Sequence, residues 1–264
     1  WLESDRMFYF DIVPEALKNQ QSVVVEEINQ TVENMPYGRW HETLAKSAFS
    51  SASSYSWAVH GKKEDVASCT LKNAKDFFSN FYRPDNAVLA VTGDVNPDKT
   101  YEEVIKYFGE KARSNGQITR RTKYIPSHKK SNIHTSFEDT VPHEAVFTAY
   151  HCPGFKDDSI NTAHILAGIL GNGRSSRLYR SLVYENQKAS QIGAFVDQRE
   201  ETSLLTLFAI AGDDSIGADE LNSMINEQVK DLNENGISEK ELEKARNMLE
   251  SSTANELQYS SGIA

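Results

Sequence analysis

The order of the apolar runs after residue 131 constrains this chain most. "HEAVFTAYH" (143–151), "SQIGAFVDQ" (190–198) and "SLLTLFAIAG" (203–212) are short and rich in β-branched and aromatic residues, so they read as strands. "NIHTSFED" (132–139) reads as a further strand. Long helical patterns stand between and after them. These are "INTAHILAGILG" (160–171), "NGRSSRLYRSLVYEN" (172–186) entered through a glycine turn, and two closing helices near 218–233 and 238–257. Strands and helices do not alternate as βαβ units, so the pattern is α+β rather than a doubly wound parallel sheet.

The first hundred residues are mostly helical. Residues 14–33 open with Pro-Glu and run unbroken to "NMPYG", with Leu17, Val24, Ile28 and Thr31 near one face. Residues 37–49 predict a second helix, and "SSASSYS" after it a loop. In 70–82, Thr70 is the predicted N-cap, and Leu71, Ala74, Phe77 and Phe78 fall together. "RPDN" predicts a turn and "AVLAVTGDV" (87–95) an apolar strand. Asn96 and Pro97 then predict the cap and first residue of another helix.

Composition excludes several function classes. A formal charge of −10 in 264 residues argues against broad nucleic-acid binding. No apolar run approaches the roughly 20 residues of a membrane-spanning helix. Cys69 and Cys152 stand far apart with no CxxC partner, so they predict buried free thiols rather than a disulfide or zinc framework. Trp1 is not a natural start, which suggests removal of an upstream segment.

Residues 112–130 change character. They are polar and carry the basic cluster Arg120, Arg121, Lys123, Lys129 and Lys130. A solvated interdomain linker is the preferred reading, with an anion-binding patch as the alternative. A faint repeat connects the two sides. "PEALKNQQSVVVEEI" lies over "SEKELEKARNMLESS" with Leu17 on Leu242, and Glu26 and Glu27 then fall on Ser251 and Ser252. The helix recurs and only its first copy has the acids. On a helix those two acids point about 100° apart, so they cannot share one environment.

Several motifs in one order carry a resemblance: "ESDRM" (3–7), "VVVEEI" (23–28), "NMPYG" (34–38), "FYRPDNAVLAVTGDV" (81–95) and "GNGRSSRLYRSLVYE" (171–185). With these, nearly the whole chain resembles the pitrilysin/insulinase family of zinc peptidases, the inverzincins. The resemblance implies two homologous α+β domains of the mitochondrial-processing-peptidase-like type, each an antiparallel sheet packed against helices. Residues 1–111 would be the C-terminal half of a first domain, 112–130 a linker, and 131–264 a second domain that stops short of its end.

The family binds zinc through HxxEH, where two histidines on one helical face are ligands and the Glu between them is general base. That motif is missing here. None of the seven histidines has a second His at the needed offset, and His41 and His143, each followed by Glu, read as ordinary surface or strand histidines. The family's third ligand is a downstream Glu, and the resemblance assigns that role to Glu27, with Glu26 as a solvated neighbour. The supporting Glu seven residues earlier is replaced by Gln20, which carries no charge.

In the second domain the family often uses an Arg and a Tyr to hold substrate. The positions nearest in this chain are Tyr184 and Ser190, with an apparent one-residue deletion. "GNGRSS" lacks the Lys-Ser/Thr ending of a phosphate loop and reads as a turn opening a helix. The resemblance therefore implies Zn2+ in the complete enzyme and none held by this chain alone. The expected partners are a peptide substrate and a homologous peptidase domain or subunit.

Overall fold

The computed structural model describes residues 1–109, 118 and 132–263. The helices are Leu2–Tyr9 (α1), Pro14–Ile28 (α2), Trp40–Ala48 (α3), Lys63–Ser68 (α4), Leu71–Phe81 (α5), Pro97–Phe108 (α6), Ile160–Gly171 (α7), Ala218–Asn235 (α8), Glu239–Glu256 (α9) and Ser260–Ile263 (α10). The strands are Ala145–Pro153 (β1), Ala189–Asp197 (β2) and Thr202–Ala211 (β3), and Asn29–Glu33 and Tyr179–Glu185 are π-helical. Apart from Ile118, the predicted linker and its basic cluster lie outside the described residues. Among the described residues no helix is long and apolar enough to cross a membrane.

The chain divides into two compact units that are not contiguous in sequence. One comprises Trp1–Asn29, His60–Lys123 and Ala254–Ala264; the other comprises Gln30–Val59 and Tyr124–Thr253.

The first unit is helical, and its caps are those the sequence predicts. Thr70 accepts from the Asn73 backbone N–H while the Asn73 side chain accepts from the Thr70 N–H, a reciprocal capping box. Asn96 Oδ1 accepts from Lys99 N at 3.0 Å, with Pro97 opening α6. On α5, Leu71, Ala74 and Phe78 are half-buried. Phe77, predicted beside them, is exposed and packs on Phe81 at 4.8 Å between ring centroids. On α2, Ile28 is buried. The sequence pattern puts Thr31 on the same face, but the helix widens to π at Asn29, and the half-buried position passes from Thr31 to Val32.

Two predicted strands are corrected. Residues 87–95 form no strand, and Val88, Leu89 and Val91 are exposed. A strand needs a ladder partner for its N–H and C=O groups, and among the described residues this run has none. Residues 132–139 form no strand and meet side chains of the α3 region instead of a ladder. Arg39 donates to the Glu138 carbonyl at 2.8 Å and lies over the Phe137 ring, and the Ser47 and Thr135 hydroxyls are 3.3 Å apart.

The second unit is an antiparallel sheet of order β1-β3-β2 with helices on both faces. Central β3 is buried along most of its length, as a strand covered on both sides should be. Leu207, Ala209 and Ala211 share one face and pack with Leu170, Leu178, Leu182, Leu221 and Ile225, which come from α7, the π-helical turn and α8. On the other face Trp40 of α3 stacks on Phe147, which meets its cross-strand partner Phe208. Two glycines permit close approach. A Cβ on Gly193 would lie 2.3 Å from the Phe208 ring, and one on Gly171 would lie 2.3 Å from the Ala194 backbone nitrogen. The sheet and its helices make this an α+β fold.

Candidate functional site

Glu27 stands one residue before the end of α2. Burial of Ile28 fixes the rotation of this turn, and Glu26 and Glu27 are both exposed. Glu26 is more than a solvated neighbour, because its Oε2 accepts from Asn29 Nδ2 at 3.3 Å. Asn29 Oδ1 accepts from Lys63 Nζ at 2.9 Å. Gln20 is exposed, whereas the adjacent Gln21 donates to the carbonyls of Val66, Ala67 and Cys69 at 2.8, 3.2 and 2.9 Å. That bond set ties α4 to α2. Among the described residues no three His, Cys, Asp or Glu side chains gather closely enough to hold a metal ion. An exposed carboxylate fits one place in a ligand set, and the described residues around it do not gather the others.

Tyr184 and Ser190 lie in the second unit, near the start of β2. Tyr184 is 76% exposed on the π-helical turn. The wide turn is closed by Asn186 N donating to the Ser181 carbonyl at 3.1 Å and Lys188 N to that of Leu182 at 2.8 Å. Such turns are frequent at functional sites. Gln187 follows with φ +52°, a left-handed conformation costly for a side-chain-bearing residue. Ser190 sits at a β-bulge, and its hydroxyl donates to the Ala211 and Ile210 carbonyls at 2.9 and 3.3 Å. Tyr184 is thus exposed to solvent, while the Ser190 hydroxyl is turned toward β3.

Two polar clusters escaped the sequence reading. Asp197, at the end of β2, receives Arg199 Nη2 at 2.6 Å and Nε at 3.1 Å, with His41 Nε2 at 3.4 Å. The bond from His41 and those from Arg199 outweigh burial and hold its carboxyl at about 2. Arg177 is mostly buried and donates to Glu241, Asp231 and the Gly236 carbonyl. It holds the Glu241 carboxyl at about 2, helped by the Ser238 N–H and hydroxyl. The partners are 156 and 64 positions apart in sequence, with no local pattern to reveal them. Cys69 and Cys152 are free as predicted but half-exposed rather than buried. Burial raises the Cys152 thiol above its ordinary range.

The model of the peptidase M16 inactive domain matches residues 68–249. The zinc protease PqqE of Helicobacter pylori is 30% identical over 247 residues, covering 93% of this chain and 55% of that protein. The uncharacterized zinc protease YmxG of Bacillus subtilis is 26% identical, covering 94% of this chain and 58% of that protein. This chain therefore spans little more than half the length of these relatives. Among solved structures, a protease from Helicobacter pylori superposes with a TM-score of 0.87 at 27% identity, over 99% of this chain and 62% of that one. The peptidase M16 inactive domain from Pseudomonas fluorescens superposes at 0.80 with 16% identity, over 94% of this chain and 59% of that one, a likeness of fold. The antiparallel sheet with its covering helices, the ordered motifs and the match over 68–249 together place this chain in the peptidase M16 family, the pitrilysin/insulinase zinc peptidases, without an HxxEH segment of its own.

Proposed function

We propose that this chain is a non-catalytic portion of a zinc-dependent endopeptidase that hydrolyses extended or unfolded peptides, and that it contributes Glu27 as one metal ligand. In this reading residues 1–111 and 131–264 are parts of two homologous domains joined by 112–130, and the remaining ligands belong to sequence outside this chain. The observation that carries it is that Glu27, to which the resemblance assigns the distal ligand, is an exposed carboxylate in the last turn of α2. Tyr184, exposed beside β2, is assigned to peptide contact, with Ser190 supporting the bulge next to it. The β2 edge supports recognition through backbone hydrogen bonds, which favours extended peptides over a particular sequence. The chain alone is proposed to hold no zinc and to cleave nothing, since one carboxylate is not a zinc site.

Zinc content of the full-length natural protein tests this reading beside its Glu27→Gln variant. About one zinc per chain, lost in the variant, is the expected result. Equal zinc in both would remove Glu27 from the ligand set.

A second reading is a non-catalytic homologue that pairs with an active peptidase subunit and binds peptide. The lack of a three-donor group among the described residues and the match to an inactive domain favour it. Size-exclusion chromatography with a catalytic homologue would show a shift for this reading, and no shift in any mixture would count against it.

A further inference from the structure

We propose that Lys63 is a positioning residue for Glu27, acting through Asn29; the inference rests on the reading of Glu27 as a metal ligand. All the groups involved belong to the first unit. Lys63 opens α4 and donates from Nζ to Asn29 Oδ1 at 2.9 Å in a partly buried position. Asn29 is where α2 ends. Its backbone N–H donates to the carbonyls of Glu26 and Val25, and its Nδ2 donates to Glu26 Oε2 at 3.3 Å. One ammonium therefore orders the side chain that closes the turn carrying Glu27.

The other end of α4 is held as well. Gln21 donates to three carbonyls at the end of α4, those of Val66, Ala67 and Cys69. Gln21 and Asn29 are about two helical turns apart on α2, roughly 12 Å. α4 runs back along that stretch, tied at both ends, so it cannot slide along α2. Ile28 pins the rotation of the same turn from the buried side. Glu27 is thus an exposed side chain on a backbone fixed from two directions.

A ligand needs that. An exposed glutamate loses rotamer freedom when it binds a metal, and any looseness in the backbone beneath it adds to the loss. The residue seven positions before Glu27 is the neutral Gln20, which cannot supply a fixed charge. Lys63, on α4, instead supplies a fixed polar partner to the turn by way of Asn29 at the end of α2.

The test uses the full-length natural protein, with zinc affinity measured by competition against a chelator of known affinity. The melting temperature of the zinc-free protein is followed in parallel. Lys63→Met, which keeps the aliphatic stem and removes the donor, and Asn29→Ala are each expected to weaken zinc about tenfold, with little change in melting temperature. Lys63→Arg, whose guanidinium can still donate to Asn29, is expected to retain zinc. Glu27→Gln serves as the control that loses it. Wild-type affinity in Lys63→Met and Asn29→Ala, with zinc lost only from Glu27→Gln, would overturn this proposal and leave the ligand reading intact. A lowered melting temperature with unchanged affinity would also overturn it, assigning α4 to stability alone. Zinc retained in Glu27→Gln would overturn the ligand reading itself. Should Lys63→Met fail to fold, Asn29→Ala decides the matter.

Discussion

Arg177 and Glu241 meet in a two-pronged ion pair. Nε donates to Oε1 at 2.7 Å and Nη2 to Oε2 at 3.1 Å. The guanidinium has a second partner in Asp231 and a third in the Gly236 carbonyl, so the turn after "GNGRSS" is fastened to both closing helices of the second unit. Loss of the fork leaves Glu241 with its Ser238 bonds only.

Arg177→Ala is expected to lower unfolding stability by about 2 kcal/mol. The pair is mostly but not wholly buried, so the effect falls below that of a fully enclosed pair. Arg177→Lys should recover less than half, because an ammonium cannot span both carboxylate oxygens. Urea denaturation of the three proteins measures this, and Lys equal to Arg would show that charge alone matters.

Stability should fall in acid. The Asp197 and Glu241 carboxyls both sit at about 2 in the folded chain, against ordinary values of 3.8 and 4.5. Their contribution is complete above the unfolded values and is lost as pH falls through the folded ones, between about 4 and about 2. For Asp197, mostly buried, the loss is on the order of 2 kcal/mol. Denaturant midpoints at about pH 6 and about pH 3 test it, and Asp197→Asn should flatten part of the slope.

Thr206 offers the opposite case. Its hydroxyl is fully buried in the middle of β3 and has no hydrogen-bond partner among the described residues. Val has the same shape without the polar atom, so Thr206→Val is expected to raise stability by about 1 kcal/mol. Thermal denaturation would show it, and a loss would mean the hydroxyl is satisfied in solution.

Two glycines of α7, three residues apart, should respond with opposite signs. Gly171→Ala would push a Cβ to 2.3 Å from the Ala194 nitrogen, which is backbone and cannot rotate away. A cost of about 3 kcal/mol is expected. At Gly168 the nearest atom is Ala245 Cβ at 3.4 Å, an ordinary contact. Gly168→Ala should therefore gain about 0.5 kcal/mol from helix propensity. Chemical denaturation of both variants separates packing from propensity.

Local signals in the sequence settled what local physics governs. Thr70 and Asn96 cap their helices because each side chain reaches an N–H three residues on. The apolar runs at 143–151, 190–198 and 203–212 became the three strands, and α7 keeps the predicted bounds of 160–171. The ordered motifs were enough to identify the family. Tertiary structure decided the rest. Residues 87–95 have a strand's composition, but a strand exists only where another chain segment completes its ladder. Gln30–Val59, early in the chain, belongs with the sheet of the second half, since Trp40 of α3 finds its apolar partner in Phe147. Arg177 with Glu241, and Asp197 with His41, join residues that no periodicity links. A side chain's pattern specifies which face it prefers to bury, while the identity of its neighbour depends on how distant segments close together.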